Sequence, residues 1–219
     1  MRQAKQILNE CPALIFDLDG TLMHTEPDIR QAINGALRDC GYRELPAAMA
    51  LPNLYSTSPE IITMAVAQIG VPASALDDLL VAYRVHYKEQ AHANSSLYPG
   101  VMDFLENSAA RGCVMGVCTN KIEAFAHQAL ERTGVHRFFK CITGGNTTDH
   151  SKPHPMPLEH TMSVMGVRAT DAILIGDTHV DAATAQNTGV AFALYKNGYG
   201  GINVESYPAK VSFQSYLEL

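Results

Sequence analysis

Five short apolar runs, with helical patterns between them, constrain the fold of this chain most strongly. The first run is Ala13–Phe16, which Pro12 precedes and acidic residues follow. The other runs lie at residues 113–118, 138–142, 172–175 and 190–194. Runs of this length, bounded by proline, glycine or charged residues, favour buried strands over helices. Strands that alternate with helices predict an α/β fold, in which a doubly wound, Rossmann-like parallel sheet is covered on both faces.

One interval interrupts this alternation, because residues 22–97 are far too many for an ordinary crossover between strands. Ser58 followed by Pro59 has the pattern of a helix N-cap with proline at the first helical position. Two further stripes of residues have helical spacing, namely Ile29, Ile33, Ala36 and Leu37, and then Leu76, Leu79, Leu80, Tyr83 and Tyr87. The sequence therefore predicts a helical domain over residues 22–97, inserted into a core made of residues 1–21 and 98–219.

The net charge and the composition restrict which binding partners and which cellular compartment we expect for this chain. The formal net charge is −6 and the basic residues form no run, so the basic surface that nucleic acid requires is not expected. No stretch reaches the roughly 18 apolar residues of a membrane span, and residues 1–10 do not form a signal peptide. The five cysteines form no CxxC pair. The nine histidines form no HExxH motif, so the sequence does not predict a zinc site. We expect a reduced, cytoplasmic monomer or homodimer that binds neither nucleic acid nor a membrane.

An acidic pair closes the first predicted strand. Asp17 and Asp19 are two residues apart, so both side chains point to the same side of an extended chain. Sheets of this kind bind ligands at the carboxyl ends of their strands. Two carboxylates that share a ligand can divide their roles, one as an ionised nucleophile and the other as a proton donor. A pair at a strand end is also compatible with a simple turn, and Gly20 fits both interpretations.

Polar residues also follow the next three predicted strands. Thr119 and Asn120 follow the second run, where hydroxyl, amide and backbone N–H groups can bind an anion or cap a helix. Lys152 follows the third run and supplies a cation suited to phosphate, although a loop lysine is also commonly solvated. Asp177 and Asp181 follow the fourth run and carry the hard oxygen ligands that Mg²⁺ selects.

The order of these motifs resembles that of a known superfamily. DxDGT, TN, KP and GDxxxD, each at the predicted end of a strand, are similar to the motifs of the haloacid dehalogenase-like hydrolases over nearly the whole chain. The helical insertion after the first motif resembles the C1 cap domain of that superfamily. Residues 24–29, 152–158 and 198–201 are similar to the phosphoglycolate phosphatase branch. Residues 51–57 differ from that branch, which usually has a glycine-rich cap loop there.

The resemblance implies a phosphoric monoester hydrolase that cleaves small phosphorylated metabolites, such as phosphoglycolate-like monoesters. Asp17 would attack phosphorus to form an aspartyl-phosphate, and Asp19 would protonate the leaving group and then activate water. The residues implied in holding the phosphoryl oxygens are Leu18, Asp19, Thr119, Asn120 and Lys152.

The resemblance also implies a Mg²⁺ ion. Its ligands would be the Asp17 carboxylate, the Asp19 backbone carbonyl and the Asp177 carboxylate, while Asp181 would orient a metal-bound water. The charges themselves require cations, since each pair of carboxylates 4 Å apart costs about 4 kcal/mol at an effective dielectric of 20. Magnesium and Lys152 are the cations that would offset this repulsion around a bound phosphate.

Two other functions remain open. A sugar-phosphate mutase of the same superfamily carries a histidine four positions beyond the threonine that matches Thr25, and this chain has Ile29 at that position. A non-catalytic regulatory protein could retain the same fold, because a fold alone does not establish activity. The presence of all four motifs favours the phosphatase.

Overall fold

The computed structural model describes residues 2–200 and 204–219. Gly201, the last residue of the run at 198–201, lies outside the described residues. Within the described residues, no helix combines the length and the apolar character needed to cross a membrane.

The chain divides into two compact units. The first unit joins Met1–His24 with Ser96–Leu219, and the second, inserted unit is Thr25–Ser95. The inserted unit begins three residues later and ends two residues earlier than residues 22–97, the interval predicted from the sequence.

The first unit contains a parallel sheet with helices around it. Its described strands are β1 (Ala13–Phe16), β2 (Met23–His24), β3 (Ser96–Leu97), β4 (Val114–Cys118), β5 (Phe139–Thr143), β6 (Ala172–Gly176), β7 (Ala191–Tyr195) and β8 (Val211–Phe213). Along the whole described chain the α-helices are α1 (Arg2–Glu10), α2 (Glu26–Asp39), α3 (Ser58–Ala67), α4 (Leu76–Gln90), α5 (Val101–Ala110), α6 (Glu123–Arg132), α7 (Met156–Met165) and α8 (His179–Thr188). The sheet has the order β5-β4-β1-β6-β7-β8, whereas β2 and β3 form a separate antiparallel pair.

Strand β1 lies inside the sheet, and all four of its residues are buried. Leu14 and Phe16 join a core on one face, together with residues of α1, α5 and α6. Ala13 and Ile15 join the core of the other face, together with residues of α7 and α8. Successive side chains of a strand point to opposite faces, so a strand covered on both sides requires an unbroken apolar run. The doubly wound α/β sheet predicted from the sequence is therefore confirmed.

The five apolar runs all form strands, each within one residue of its predicted bounds. The sequence did not predict α1, β8 or the β2–β3 pair. Strand β8 has three residues, with exposed Ser212 between buried Val211 and Phe213. An alternation this short does not stand out from the surrounding sequence, and the two-residue strands β2 and β3 offer still less pattern.

The inserted unit is helical in its described structure. The stripes predicted from the sequence lie on α2, where Ile29 and Ile33 are buried, and on α4, where Leu79, Tyr83 and Tyr87 are buried. The rings of Tyr83 and Tyr87 stack with their centroids 5.2 Å apart. Helices α2 and α4 pack against each other, which explains why both stripes are apolar.

The N-cap of helix α3 is Thr57, so the prediction that placed it at Ser58 was wrong by one residue. Thr57 has an extended backbone and forms a capping box with Glu60, whose carboxylate accepts a hydrogen bond from the Thr57 backbone N–H at 3.1 Å. The reciprocal bonds of a capping box require a spacing of three residues. Glu60 lies three residues after Thr57, so this spacing selects Thr57 over the equally suitable serine.

A buried carboxylate joins the two ends of the inserted unit. Asp28, near the start of α2, is fully buried. Its oxygens accept hydrogen bonds from the Asn94 backbone N–H at 3.1 Å, the Asn94 amide at 3.0 Å and the Ser95 hydroxyl at 2.5 Å. Because the unit runs from Thr25 to Ser95, these bonds hold its first turn against its last residues.

Candidate active site

The four sequence motifs converge at one edge of the sheet. Asp17 follows β1, Thr119 follows β4, Lys152 lies in the loop after β5, and Asp177 follows β6. These strands are neighbours in the order β5-β4-β1-β6. Backbone pairing continues one residue beyond β1 and beyond β4, since Asp17 N–H donates to the Ile175 carbonyl and Thr119 N–H donates to the Thr143 carbonyl, both at 2.9 Å. Parallel strands present their carboxyl ends at the same edge, so the topology itself assembles the site.

Three buried carboxylates form the centre of the site. Candidate ligand oxygens of Asp17, Asp177 and Asp181 all lie within 4.8 Å of one another. Burial, together with the charges of Asp181 and Asp19, raises the pKa of Asp17 to about 7 against the attraction of Lys152. Burial, followed by the charges of Asp181 and Asp17, also raises the pKa of Asp177 well above its usual range. Each shift has the same physical origin, which is negative charge confined away from water.

Lys152 is the cation inside this cluster. Its Nζ donates to Asp17 Oδ1 at 2.7 Å and to Asp181 Oδ1 at 2.6 Å, and its side chain is 2% exposed. Burial alone would lower the pKa of Lys152, but the charges of Asp17 and Asp181 outweigh burial and raise it. The lysine is therefore charged, and it fixes the orientation of both carboxylates.

The donor set fits a divalent cation. Asp177 accepts hydrogen bonds from the Thr21 hydroxyl at 2.6 Å and from the Tyr199 backbone N–H at 2.7 Å, which are dipoles rather than full charges. One lysine faces three buried carboxylates, so the cluster has an excess of negative charge. Hard carboxylate oxygens with uncompensated charge are the ligands that Mg²⁺ and Ca²⁺ prefer.

Two glycines allow the neighbouring chain segments to pack closely against Asp177. Gly20 has a φ of +91°, and a Cβ added there would lie 2.5 Å from Asp177 Oδ2. A Cβ on Gly198 would collide with the Gly20 carbonyl and the Asp177 side chain. The chain segments on both sides of Asp177 thus approach each other more closely than any side chain would permit.

Asp181 accepts hydrogen bonds both from the first turn of helix α8 and from Lys152. Its Oδ2 accepts hydrogen bonds from the Thr178 backbone N–H at 3.1 Å and from the Thr178 hydroxyl at 2.7 Å, in a capping box at the start of α8. Its Oδ1 accepts the bond from Lys152. Both carboxylate oxygens of Asp181 therefore have protein donors, as both oxygens of Asp177 do, but only Asp181 has the Lys152 ammonium group as one of its two donors.

Asn120 holds the backbone of Lys152. Its amide oxygen accepts from the Lys152 backbone N–H at 2.9 Å, and its amide nitrogen donates to the Lys152 carbonyl at 3.1 Å. The adjacent Thr119 is 2% exposed, and its hydroxyl accepts from the Lys121 backbone N–H at 3.2 Å. The Asn120 side chain, expected from the sequence to offer an anion donor, thus positions the lysine loop.

Lys121 is a site residue that the sequence analysis missed. Its Nζ donates to both carboxylate oxygens of Asp19, at 2.9 Å and 3.1 Å. The two side chains are only 4% and 14% exposed. Asp19 therefore faces Lys121 by its side chain, while Asp17 and Asp177 belong to the acidic cluster. A lysine directly after the TN pair was the one available signal, and no spacing rule links it to Asp19.

Comparison with known proteins agrees with this geometry. The family model described as "Haloacid dehalogenase-like hydrolase" matches residues 14–195. A phosphoglycolate phosphatase of Rhodospirillum rubrum is 34% identical over 213 residues, covering 94% of this chain and 88% of that protein. A phosphoglycolate phosphatase of Cereibacter sphaeroides is 33% identical over 210 residues, covering 95% of each chain.

Solved structures share the fold. A predicted phosphoglycolate phosphatase from Haemophilus somnus superposes with a TM-score of 0.84 at 24% identity, covering 95% of this chain and 96% of that one. The CbbY protein of Rhodobacter sphaeroides, solved in complex with phosphate, has a TM-score of 0.78 at 21% identity, with 95% and 96% covered. The sheet thus defines an α/β protein of this shared fold. The chain belongs to the haloacid dehalogenase-like hydrolase family, and within it the chain is a phosphatase.

Proposed function

We propose that this protein is a Mg²⁺-dependent phosphatase that hydrolyses monoesters of small phosphorylated metabolites, phosphoglycolate and similar acids first among them. The buried contact of Lys152 with Asp17 and Asp181, beside Asp177, is the observation that carries this proposal. The names of the relatives support the substrate class. The difference at residues 51–57 makes a panel of substrates necessary, because the branch usually carries another loop there.

Asp17, Asp177 and the backbone carbonyl of Asp19 are the proposed Mg²⁺ ligands. Asp181 accepts a hydrogen bond from Lys152 and is itself held by Thr178, which supports a role in orienting the lysine; we propose that it also orients a metal-bound water. When bound, Mg²⁺ would neutralise the carboxylates and the phosphate and favour an in-line arrangement of the reacting groups.

Asp17 is the proposed nucleophile. Its Oδ1 accepts the bond from Lys152, so its Oδ2 is the oxygen that attacks phosphorus. The new O–P bond forms as the ester O–P bond breaks, and the electron pair leaves with the alkoxide. Lys152, Thr119 and the backbone N–H groups of Leu18, Asp19 and Asn120 would hold the phosphoryl oxygens during this transfer.

Asp19 is the proposed proton carrier. It would give a proton to the leaving alkoxide and then take one from the water that hydrolyses the aspartyl-phosphate. The two hydrogen bonds from Lys121 fix the orientation of this carboxylate, which both proton transfers need.

Leaving-group selection is the role that we propose for the inserted helical unit. Every side chain of the described acidic cluster belongs to the first unit, so phosphoryl transfer rests on that unit. Substitutions within residues 51–57 should reorder the preference among alkyl phosphates and leave the rate with p-nitrophenyl phosphate nearly unchanged. A uniform loss for all substrates would contradict this division.

A panel of phosphorylated metabolites, ranked by kcat/KM with and without Mg²⁺, tests the proposed function. Phosphate release should require Mg²⁺, disappear with EDTA, and be fastest with small acidic monoesters. Full turnover in chelator would refute the metal. Isomerisation of a hexose phosphate without phosphate release would favour the mutase, and inertness toward every ester would favour the regulatory protein. Ile29 supports the phosphatase over the mutase.

We also propose a cytoplasmic location and a monomeric or homodimeric state. The five cysteines are all free thiols in the structure, which supports a reducing compartment. Sedimentation of the purified protein measures its oligomeric state directly.

A further inference from the structure

Two histidines outside the acidic edge lie close enough to share a ligand. His127 is on helix α6, and His136 begins the short 3-10 helix His136–Phe138. His127 Nδ1 lies 2.9 Å from His136 Nε2, with ring centroids 5.1 Å apart. Glu131 follows His127 by four residues, so it lies one helical turn further on the same face of α6. Candidate ligand atoms of these three residues all lie within 4.8 Å of one another.

The spacing of the two ring nitrogens suits a transition-metal ion. Zinc–nitrogen bonds of 2.0–2.1 Å place two ligand nitrogens about 2.9 Å apart at a right angle and about 3.3 Å apart at the tetrahedral angle. The observed 2.9 Å therefore needs a shift of a few tenths of an ångström at most. Two imidazoles and a carboxylate form a donor set that selects Zn²⁺ and similar ions, unlike the all-oxygen set of Asp17, Asp177 and Asp181.

A second carboxylate, that of Glu123, lies near His127. Glu123 Oε1 lies 4.0 Å from His127 Nε2, the nitrogen that does not face His136. Ligand histidines commonly direct their second nitrogen at a carboxylate, which fixes the tautomer and the ring orientation. Glu123 thus lies near one nitrogen of His127, at a distance longer than a hydrogen bond, and His136 contacts the other nitrogen. The histidine rings are half-buried and Glu131 is exposed, so an ion has access from solvent.

We propose that His127 Nδ1, His136 Nε2 and the Glu131 carboxylate form a binding site for Zn²⁺ or a related transition-metal ion, with water as the fourth ligand. The ion would join α6 to the turn that leads into β5. Helix α6 begins two residues after Lys121, so the ion would stabilise the segment that carries the TN motif. The competing structure is a simple hydrogen bond, in which one neutral ring donates to the other.

Zinc binding to the full-length protein tests this site. Calorimetric titration with Zn²⁺, in excess Mg²⁺ to occupy the acidic cluster, should show one zinc ion per chain. Co²⁺ should bind at the same site with the visible absorption of tetrahedral nitrogen and oxygen coordination. His127→Gln and His136→Gln should each weaken Zn²⁺ binding at least 100-fold, and Glu131→Gln about tenfold. Glu123→Gln should weaken it by up to about tenfold, as expected for a group that orients a ligand.

His150→Gln is the matched control. His150 and His154 form the other close histidine pair in the described residues, with ring centroids 4.1 Å apart, and this variant should bind Zn²⁺ like the parent protein. Glu131→Gln changes an exposed helix residue and keeps the test valid where a histidine variant folds poorly. Undetectable Zn²⁺ binding in excess Mg²⁺, binding unchanged in His127→Gln, or binding lost in His150→Gln would each overturn the proposal.

Discussion

The pair formed by Lys121 and Asp19 leads to the most informative prediction. Lys121→Met keeps most of the side-chain length and removes the charge from a lysine that is 4% exposed. Two charge-assisted hydrogen bonds, at 2.9 Å and 3.1 Å, are lost. Each bond of this type contributes about 1.5–3 kcal/mol. Water can replace part of that contribution because Asp19 is itself 14% exposed.

We expect kcat to fall about 10- to 100-fold, which corresponds to about 1.4–2.7 kcal/mol of transition-state stabilisation. Lys121 acts here by positioning Asp19, the proposed proton carrier. Alkyl phosphates should therefore suffer most, since their leaving alkoxide needs a proton, and p-nitrophenyl phosphate should suffer less in a pre-steady-state burst. KM should change less than kcat, because the residues proposed to bind the phosphate remain.

A double-mutant cycle separates positioning from a general loss of structure. In an Asp19→Asn background, Lys121→Met should cost little further activity, since its partner has already lost its charge. Lys140→Met is the matched control, because Lys140 donates to the Met165 carbonyl at 2.8 Å, outside the proposed site. Additive losses in the cycle, equal losses for both classes of leaving group, or a comparable loss in Lys140→Met would refute this role of Lys121.

Three further predictions follow from single residues. Asp17→Asn should reduce phosphate release below about a hundredth of the parent rate with an unchanged circular dichroism spectrum, because it removes the attacking oxygen; higher residual activity would exclude Asp17 as nucleophile. Gly198→Ala should raise the Mg²⁺ concentration needed for half-maximal activity, since its Cβ would collide with the Gly20 carbonyl and Asp177. An unchanged Mg²⁺ dependence would show that close packing at Gly198 does not position Asp177. Asp28→Asn should lower the free energy of unfolding by about 1.5–3 kcal/mol, as measured with urea, because Asp28 holds the ends of the inserted unit together; unchanged stability would refute that account.

The strands were predictable because burial on both faces leaves a signal in four or five consecutive residues. Ala13–Phe16 alternates between two cores, so every position has to be apolar. The convergence of Asp17, Thr119, Lys152 and Asp177 was predictable for a related reason. Once the strands are known to be parallel, the residues that follow them lie at one edge, whatever the loops do.

Contacts that depend on the path of a loop or on the direction of a side chain were not predictable. The hydrogen bonds of Asn120 depend on the path of the segment between β5 and Lys152, which sequence spacing does not determine. Lys121 reaches Asp19 across 102 residues of sequence. His127 lies near His136 because the chain turns directly after α6, where Gly134 has a φ of +74°. Each of these contacts can be recognised only in the three-dimensional structure, since neither a hydrophobic period nor a sequence motif relates its two partners.

Three of the four motifs act on one side chain, and this convergence explains how a buried ammonium group can be held accurately. Asn120 fixes the backbone of Lys152, Asp17 and Asp181 accept from its Nζ, and the capping box with Thr178 fixes Asp181. The lysine therefore has little conformational freedom left to lose when a substrate binds. Groups that are already oriented toward developing charge stabilise a transition state without the cost of reorganisation. The same helix cap that begins α8 thus contributes to the placement of the charge that Asp17 requires.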